Sequence, residues 1–316
     1  MPDSSSRPAG PVLCIGAVHW DSLARARRPI AADTSTPSDI RQAPGGVAAN
    51  VARALVRLGV PATLCGVVGD DVPGRALSEQ LGREGISLRL WERKGMVTGQ
   101  YLALHDPDGS LVAASVDDRI LAEAPLETFE AELTSLATET PANALWFADA
   151  NLPAGILTSV ARHAPPGRLA ADAVSVAKAE RLAGILGQIR FLFANRAEAA
   201  ILAGCPRTAP LRDIAGRLHG MGVSAVIVTD GTAPVLASDG TGARQYRPET
   251  VTIRDVTGAG DALIAGTLAG LARGYGLFEA VPCGMAAARL TVQTAGAVSE
   301  ELSWPALSGK PDCDPT

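Results

Sequence analysis

Seven short, mostly apolar runs constrain this chain more than any other feature: residues 12–18, 62–68, 144–148, 168–171, 190–193, 223–229 and 251–256. They lack the in–out alternation of a half-exposed strand, so they read as strands covered on both faces, the condition of a parallel sheet. Parallel neighbours need crossover helices. The expected fold is therefore α/β, a doubly wound, mostly parallel sheet with helices on both faces. Ligands of such sheets bind beyond the carboxyl ends of the strands, so the polar residues that close these runs are the first functional candidates.

Two stretches break the rhythm. Residues 22–44 are polar and fit no core helix. Residues 88–91, 99–105 and 111–115 look like short strands, the last two joined by a turn at Asp106–Gly109. Insertions at about 22–44 and 87–116 then form a small β-sheet that covers the ligand as a lid. One domain is expected over 11–307, with loose polar tails at 1–10 and 308–316. Helices are expected at 126–137, 175–186, 262–274 and 278–294, and a hairpin at 234–237 with 244–246.

Composition narrows the partners. The net charge of −5 with no basic block argues against nucleic acid, and no apolar run reaches membrane-spanning length. Five scattered cysteines with no C-x-x-C pair fit free thiols in a reducing, cytoplasmic setting.

The densest chemistry lies between Asp255 and Ala262. A β-branched run leads into Gly258, Ala259 and Gly260, and Asp261 opens an apolar helix. Unpaired amides at a glycine-rich helix start make an anion site. Asp261 is either a cap or a general base beside a bound phosphoryl group. No Walker A loop is present, and Leu263 stands where a dinucleotide fingerprint needs its third glycine. Gly45 and Gly46 run into a second helix, with Asn50 one turn inside it. Asn195 followed by Glu198 is either a helix cap with its first-turn acid or a holder of a hydrated metal–phosphate. His19, Asp21, Asn151, Thr229 and Gly231 close other runs.

These motifs resemble the ribokinase (PfkB) family of carbohydrate and nucleoside kinases. Gly45, Gly46 and Asn50 match its N-terminal signature; Asp255, Thr257, Gly258, Ala259, Gly260 and Asp261 match its C-terminal one. The likeness runs from about Val12 to Ser303. Within the family it leans toward bacterial pseudouridine kinases, on Pro44 to Val47 with Asn50, Tyr101 to Leu104, Ala148 to Asn151, Asp172 to Ser175 with Lys178, and Asp255 to Ala262. The resemblance implies a ribokinase-like fold and ATP-dependent phosphorylation of a hydroxymethyl group on a ribosyl compound, with pseudouridine favoured. Ribose, fructose or another nucleoside is the alternative acceptor, and a non-catalytic sugar-binding regulator the alternative of another class.

It implies roles as well. Asp261 is the base and the Gly258–Gly260 amides the anion hole. His19, Asp21, Gly45, Gly46, Asn50 and Asn151 bind the acceptor. Asn195, Glu198, Thr229 and Gly231 bind the nucleotide, with Glu198 reaching Mg²⁺ through water. Asp255 and carbonyls near Gly296 hold a monovalent cation such as K⁺. A homodimer paired through the lid is implied too. The chain departs from the family where His19 replaces Asn, where Phe193 and Ala194 replace Lys-Pro, and where Ala173 replaces Pro.

Overall fold

The structure, a computed structural model, describes residues 9–308. Its strands, in chain order, are β1 (Val12–Ile15), β2 (His19–Ala26), β3 (Ser38–Gly45), β4 (Ala62–Gly69), β5 (Ser87–Arg93), β6 (Gln100–His105), β7 (Leu111–Asp117), β8 (Leu145–Asp149), β9 (Leu169–Asp172), β10 (Ile189–Asn195), β11 (Ala225–Asp230), β12 (Ala233–Ser238) and β13 (Ala243–Tyr246). Nine of them form the main sheet in the order β13-β12-β11-β10-β9-β8-β1-β4-β5. All neighbours pair in parallel except at the β11-β12-β13 end, which is a meander.

The helices are α1 (Val47–Arg57), α2 (Val72–Arg83), α3 (Arg119–Ala122), α4 (Leu126–Glu139), α5 (Ala154–His163), α6 (Val176–Ala179), α7 (Arg196–Leu202), α8 (Leu211–Gly220), α9 (Ala259–Ala272), α10 (Leu277–Val292) and α11 (Trp304–Ser308). One core joins a sheet face to α1, α2, α9 and α10; the other joins the opposite face to α4, α5, α7 and α8. Alternate strand residues feed each: Leu145 and Phe147 face the first, Trp146 and Ala148 the second. Each fully buried large side chain contributes about 1.5–3 kcal/mol. Among the described residues no helix is long and apolar enough to cross a membrane.

The remaining four strands form the small sheet, in the order β3-β2-β6-β7, with β2 and β6 parallel and each hairpin antiparallel. Its first excursion is wider than expected, because β2 already begins at His19 and β3 runs to Gly45. Its second is narrower. Residues 87–93 do not join it; β5 pairs in parallel with β4 and ends the main sheet. Leu88 and Leu90 pack on one core, while Trp91 packs on the other and meets Phe129 edge-on at 4.5 Å between ring centres. Two covered faces decide the sheet it joins.

A second correction concerns residues 251–256, which form no strand. The amides of Arg254 and Asp255 both turn to the carbonyl of Val292 at the end of α10 (2.8 and 3.3 Å), and Ile253 and Val256 are exposed. A β-branched composition does not make a strand when the backbone hydrogen bonds find partners elsewhere. The helix after it starts at Ala259, earlier than expected, so Asp261 lies inside its first turn. The helix expected at 175–186 is α6 followed by a 3₁₀ segment, Glu180–Gln188. Of the loose tails expected at 1–10 and 308–316, residues 1–8 and 309–316 lie outside the described residues, and Ser308 ends α11. Residues 9 and 10 are tied down: Ala9 packs on the core and Gly10 N donates to Ala272 O at 2.9 Å.

Candidate active site

The site is assembled around a fully buried carboxylate, Asp149, at the end of β8. Its Oδ2 accepts from the amides of Ala17 and Ala48 (both 2.9 Å), and its Oδ1 from the amide of Asn151 (3.0 Å). Three elements are thus pinned at one point: the exit of β1, the start of α1 and the end of β8. Burial raises the Asp149 carboxyl above its ordinary value, while these donors hold it down. The chain enters α1 through Gly46, whose φ of 99° favours glycine and whose missing Cβ would sit 2.2 Å from Ala17 O.

Asp261 projects from the first turn of α9, and its Oδ2 accepts from Asn50 Nδ2 at 2.9 Å. The bond spans both signature motifs. It also fixes the Asn50 amide, leaving Asn50 Oδ1 buried without a partner. A buried acceptor of this kind calls for a donor such as a ligand hydroxyl. Burial drives the Asp261 carboxyl up to about 7; Asn50 opposes that, and the charges of Asp149 and Asp21 add to it. A carboxylate that titrates near neutrality is matched to general-base work.

The helix start around it is open. Gly258 is left-handed at φ 75° and caps α9. Ala259 N makes a long 3.3 Å contact to Val256 O, while the amides of Gly258, Gly260 and Asp261 have no protein acceptor among the described residues. Two of the three amides expected to form the anion hole, those of Gly258 and Gly260, are thus free, and the amide of Asp261 is free beside them. A cleft of about 200 Å³ lies here, lined among others by Gly260, Asp261, Asn195, Glu198, Thr229 and Asp172. It carries three carboxylates and neither lysine nor arginine.

Asn195 and Glu198 form the helix cap with its first-turn acid that their spacing offers. Asn195 Oδ1 accepts from the amides of Ala197 and Glu198, and Glu198 Oε2 accepts from Asn195 N at 2.7 Å, a full capping box on α7. Both residues nevertheless border the cleft. Burial raises the Glu198 carboxyl, against the hydrogen bonds from Asn195. Gly231 makes a left-handed turn after β11 at φ 60°, outside the cleft lining. Asp172, not among the expected site residues, lines the cleft. Burial raises its carboxyl well above the usual range, helped by Glu198, Asp261 and Asp149. Nothing in its spacing signals this, because the topology of β8, β9 and β10 creates the neighbourhood.

Among the residues expected to bind the acceptor, His19 Nδ1 lies 2.8 Å from Asp21 Oδ1. Gly45 stands opposite His19 in the β2–β3 register, and a Cβ there would strike the Asp21 carboxylate. Asn151 Oδ1 accepts from Lys178 Nζ at 2.7 Å, and Lys178 also donates to Asp118 Oδ2 at 2.9 Å. Asp118 escaped the sequence reading, since a lone acid after a strand carries no pattern. His19, Asp21, Gly46, Asn50 and Asn151 are not part of the cleft lining; Asn50 reaches it through Asp261. Asp255 staples two loops, its Oδ1 accepting from Thr257 N (2.9 Å) and its Oδ2 from Gly296 N (3.1 Å). Burial raises its carboxyl, but these donors outweigh it and leave it below its ordinary value.

A buried carboxyl group beside free helix-start amides, on a doubly wound sheet, is the arrangement expected of a phosphotransferase that acts on an alcohol. The model of the pfkB family carbohydrate kinases matches residues 11–304. The chain is 28% identical to the pseudouridine kinase of Escherichia coli K12, over 81% of its length and 82% of that protein. It is 31% identical to fructoselysine 6-kinase of Shigella flexneri, over 80% and 91%. A carbohydrate kinase from Agrobacterium tumefaciens superposes with a TM-score of 0.82 at 32% identity, covering 95% and 96% of the two chains. The chain belongs to the PfkB family of carbohydrate kinases and is an ATP-dependent kinase.

Proposed function

We propose that the protein phosphorylates the hydroxymethyl group of a ribosyl compound, with pseudouridine as the acceptor best supported. The Asn50–Asp261 hydrogen bond carries this reading, because it holds a base that titrates near 7 against open helix-start amides. Asp261 takes the proton of the acceptor hydroxyl. The oxygen attacks the γ-phosphorus of ATP, the bond from that phosphorus to the bridging oxygen breaks, and ADP leaves with the electron pair. The amides of Gly258, Gly260 and Asp261 neutralise charge on the transferring group, with Ala259 joining once its long contact opens.

Mg²⁺ fits the donor set. A cleft with three carboxyl groups and no basic side chain offers a polyphosphate no counter-charge, so a cation has to accompany it. Among the described residues no three acidic, histidine or cysteine side chains are placed to hold a metal alone. Nucleotide oxygens and water would complete its shell, with Glu198 reaching it through water and Asn195 fixing Glu198. When bound, the ion supplies charge neutralisation and orients the phosphates. Thr229 and Gly231 line the nucleotide side. The meeting of Asp255 with the Gly296 loop supports K⁺ binding there. The exposed apolar residues of the small sheet, Leu102, Leu111 and Val116, support pairing of two copies through it, checked by light scattering. A cytoplasmic location fits a small-molecule kinase of this kind.

The likeness to fructoselysine 6-kinase favours a second reading, an open-chain or furanose sugar as acceptor. An ADP-release assay over pseudouridine, uridine, cytidine, ribose, fructose and fructoselysine, with Mg²⁺ and with K⁺ or choline, separates the two. Pseudouridine is expected to give the highest kcat/KM, and K⁺ to raise it. Turnover of sugars alone would move the reading to the second acceptor class. Binding without turnover of any compound would make the protein a sugar-binding regulator. His19→Asn is expected to change relative kcat/KM across the panel by about tenfold or more, about 1.4 kcal/mol, because it replaces the Asp21-bound imidazole. An unchanged ranking would remove His19 from specificity.

A further inference from the structure

We propose that Lys178 is a positioning residue for the acceptor: it fixes the Asn151 carboxamide and ties that orientation to the seat of the small sheet through Asp118. The inference rests on the kinase reading above. Lys178 belongs to the short helix α6, and its side chain is only 21% exposed. A partly buried ammonium has to find acceptors. It takes one from each of two distant segments: Asn151 Oδ1 at 2.7 Å and Asp118 Oδ2 at 2.9 Å.

Asn151 is clamped at every other polar atom of its backbone. Its amide donates to Asp149 Oδ1 at 3.0 Å, and its carbonyl accepts from Arg181 Nη1 at 2.7 Å. With Oδ1 facing an ammonium, a flipped amide would set donors against donors. Nδ2 is therefore turned away from Lys178 and toward the Asp149 carboxylate, which the Asn151 side chain helps to hold down. Nδ2 carries two N–H groups, so the second remains for a hydroxyl or carbonyl oxygen of the acceptor. A molecule that lacks the oxygen forgoes this hydrogen bond and is bound less well.

The other arm of Lys178 reaches Asp118, the residue directly after β7, where the chain leaves the small sheet. Asp118 is partly shielded, at 30% side-chain exposure. Closure of the small sheet and orientation of the Asn151 amide thus share one ammonium. A small sheet lifted from its seat removes one of the two acceptors and frees Lys178 to swing, and Asn151 with it.

The test uses the full chain with pseudouridine and ATP, and Lys178→Met and Lys178→Arg as variants. Lys178→Met is expected to raise KM for pseudouridine about tenfold, with KM for ATP and kcat changed less than about twofold. Lys178→Arg, which keeps the charge, is expected to recover most of that loss. In an Asn151→Ala background, Lys178→Met is expected to add less than about twofold, since it acts through the missing amide. Equal rises in both KM values, or full additivity with Asn151→Ala, would overturn the proposal.

Amide hydrogen exchange on ligand-free protein probes the second arm. Faster exchange across residues 111–118 in Lys178→Met is expected, and unchanged exchange there would overturn the link to the small sheet. Should wild-type protein turn over no acceptor, the kinase reading fails by itself, and the exchange measurement alone decides whether Lys178 seats the sheet.

Discussion

Asp261→Asn lowers kcat by about 10³-fold while KM for ATP moves less than about threefold. The substitution keeps the shape and the Asn50 contact, since an amide oxygen still accepts from Nδ2. What it removes is the ability to take a proton. The wild-type pH profile carries the same information. Only the ionised carboxylate acts as a base, so kcat/KM for the acceptor climbs with pH and levels off above about 7. Stability runs the other way. In the folded chain the carboxyl holds its proton up to about 7, whereas its ordinary value is 3.8. The contribution is complete below the lower value and lost as pH rises through the upper one. Asp261→Asn is therefore more stable than wild type at pH 8, by on the order of 1–2 kcal/mol once water in the cleft is allowed for. The two proteins match at pH 4. Thermal melts at both pH values and single-turnover kinetics check this. A variant keeping a tenth of wild-type kcat would exclude the carboxylate as the base.

Gly258→Ala and Gly260→Ala are expected to fail in opposite ways, although two residues apart. Gly258 has φ 75°, and a Cβ there would sit 2.1 Å from the carbonyl oxygen of Ala297. Left-handed strain and a clash with immovable backbone together cost about 2–4 kcal/mol. Turnover falls because the helix start shifts. At Gly260 no protein atom lies within 4 Å of the added methyl. Alanine in a first helical turn leaves stability within about 1 kcal/mol of wild type, on the favourable side. Yet kcat/KM is expected to drop by about 10²-fold, because the methyl fills the space in which the phosphoryl group meets the amide. Denaturant unfolding and steady-state kinetics on both variants separate the cases. Wild-type turnover by Gly260→Ala would show that no ligand approaches that backbone.

Most of the sheet was legible because buried parallel strands leave an unmixed signature: residues 62–68 and 144–148 carry no competing pattern. The 251–256 run carried the same signature and misled, because its amides are claimed by Val292, which is far away in sequence. The segment at 88–91 misled in the other direction. It reads as a short strand beside the lid hairpin, but Leu88 and Leu90 pack on one core of the main sheet and Trp91 on the other. The two signature motifs pointed to Asn50 and Asp261, and the N-x-x-E spacing to Asn195 and Glu198, because each spacing has a local mechanical meaning. The convergence of Asp172 on the same cleft, and of Asp118 with Lys178 and Asn151, exists only once the strands are ordered, and no local pattern encodes it.

Asp149 pins three elements at one point. Its charge has a second effect at a distance, since it is one of the influences that hold the Asp261 carboxyl high. The joint that keeps the frame together thus also tunes the acidity at which the frame operates. Removing that charge is expected to lower the pH at which Asp261 ionises, and the working pH range of the proposed base would move down with it.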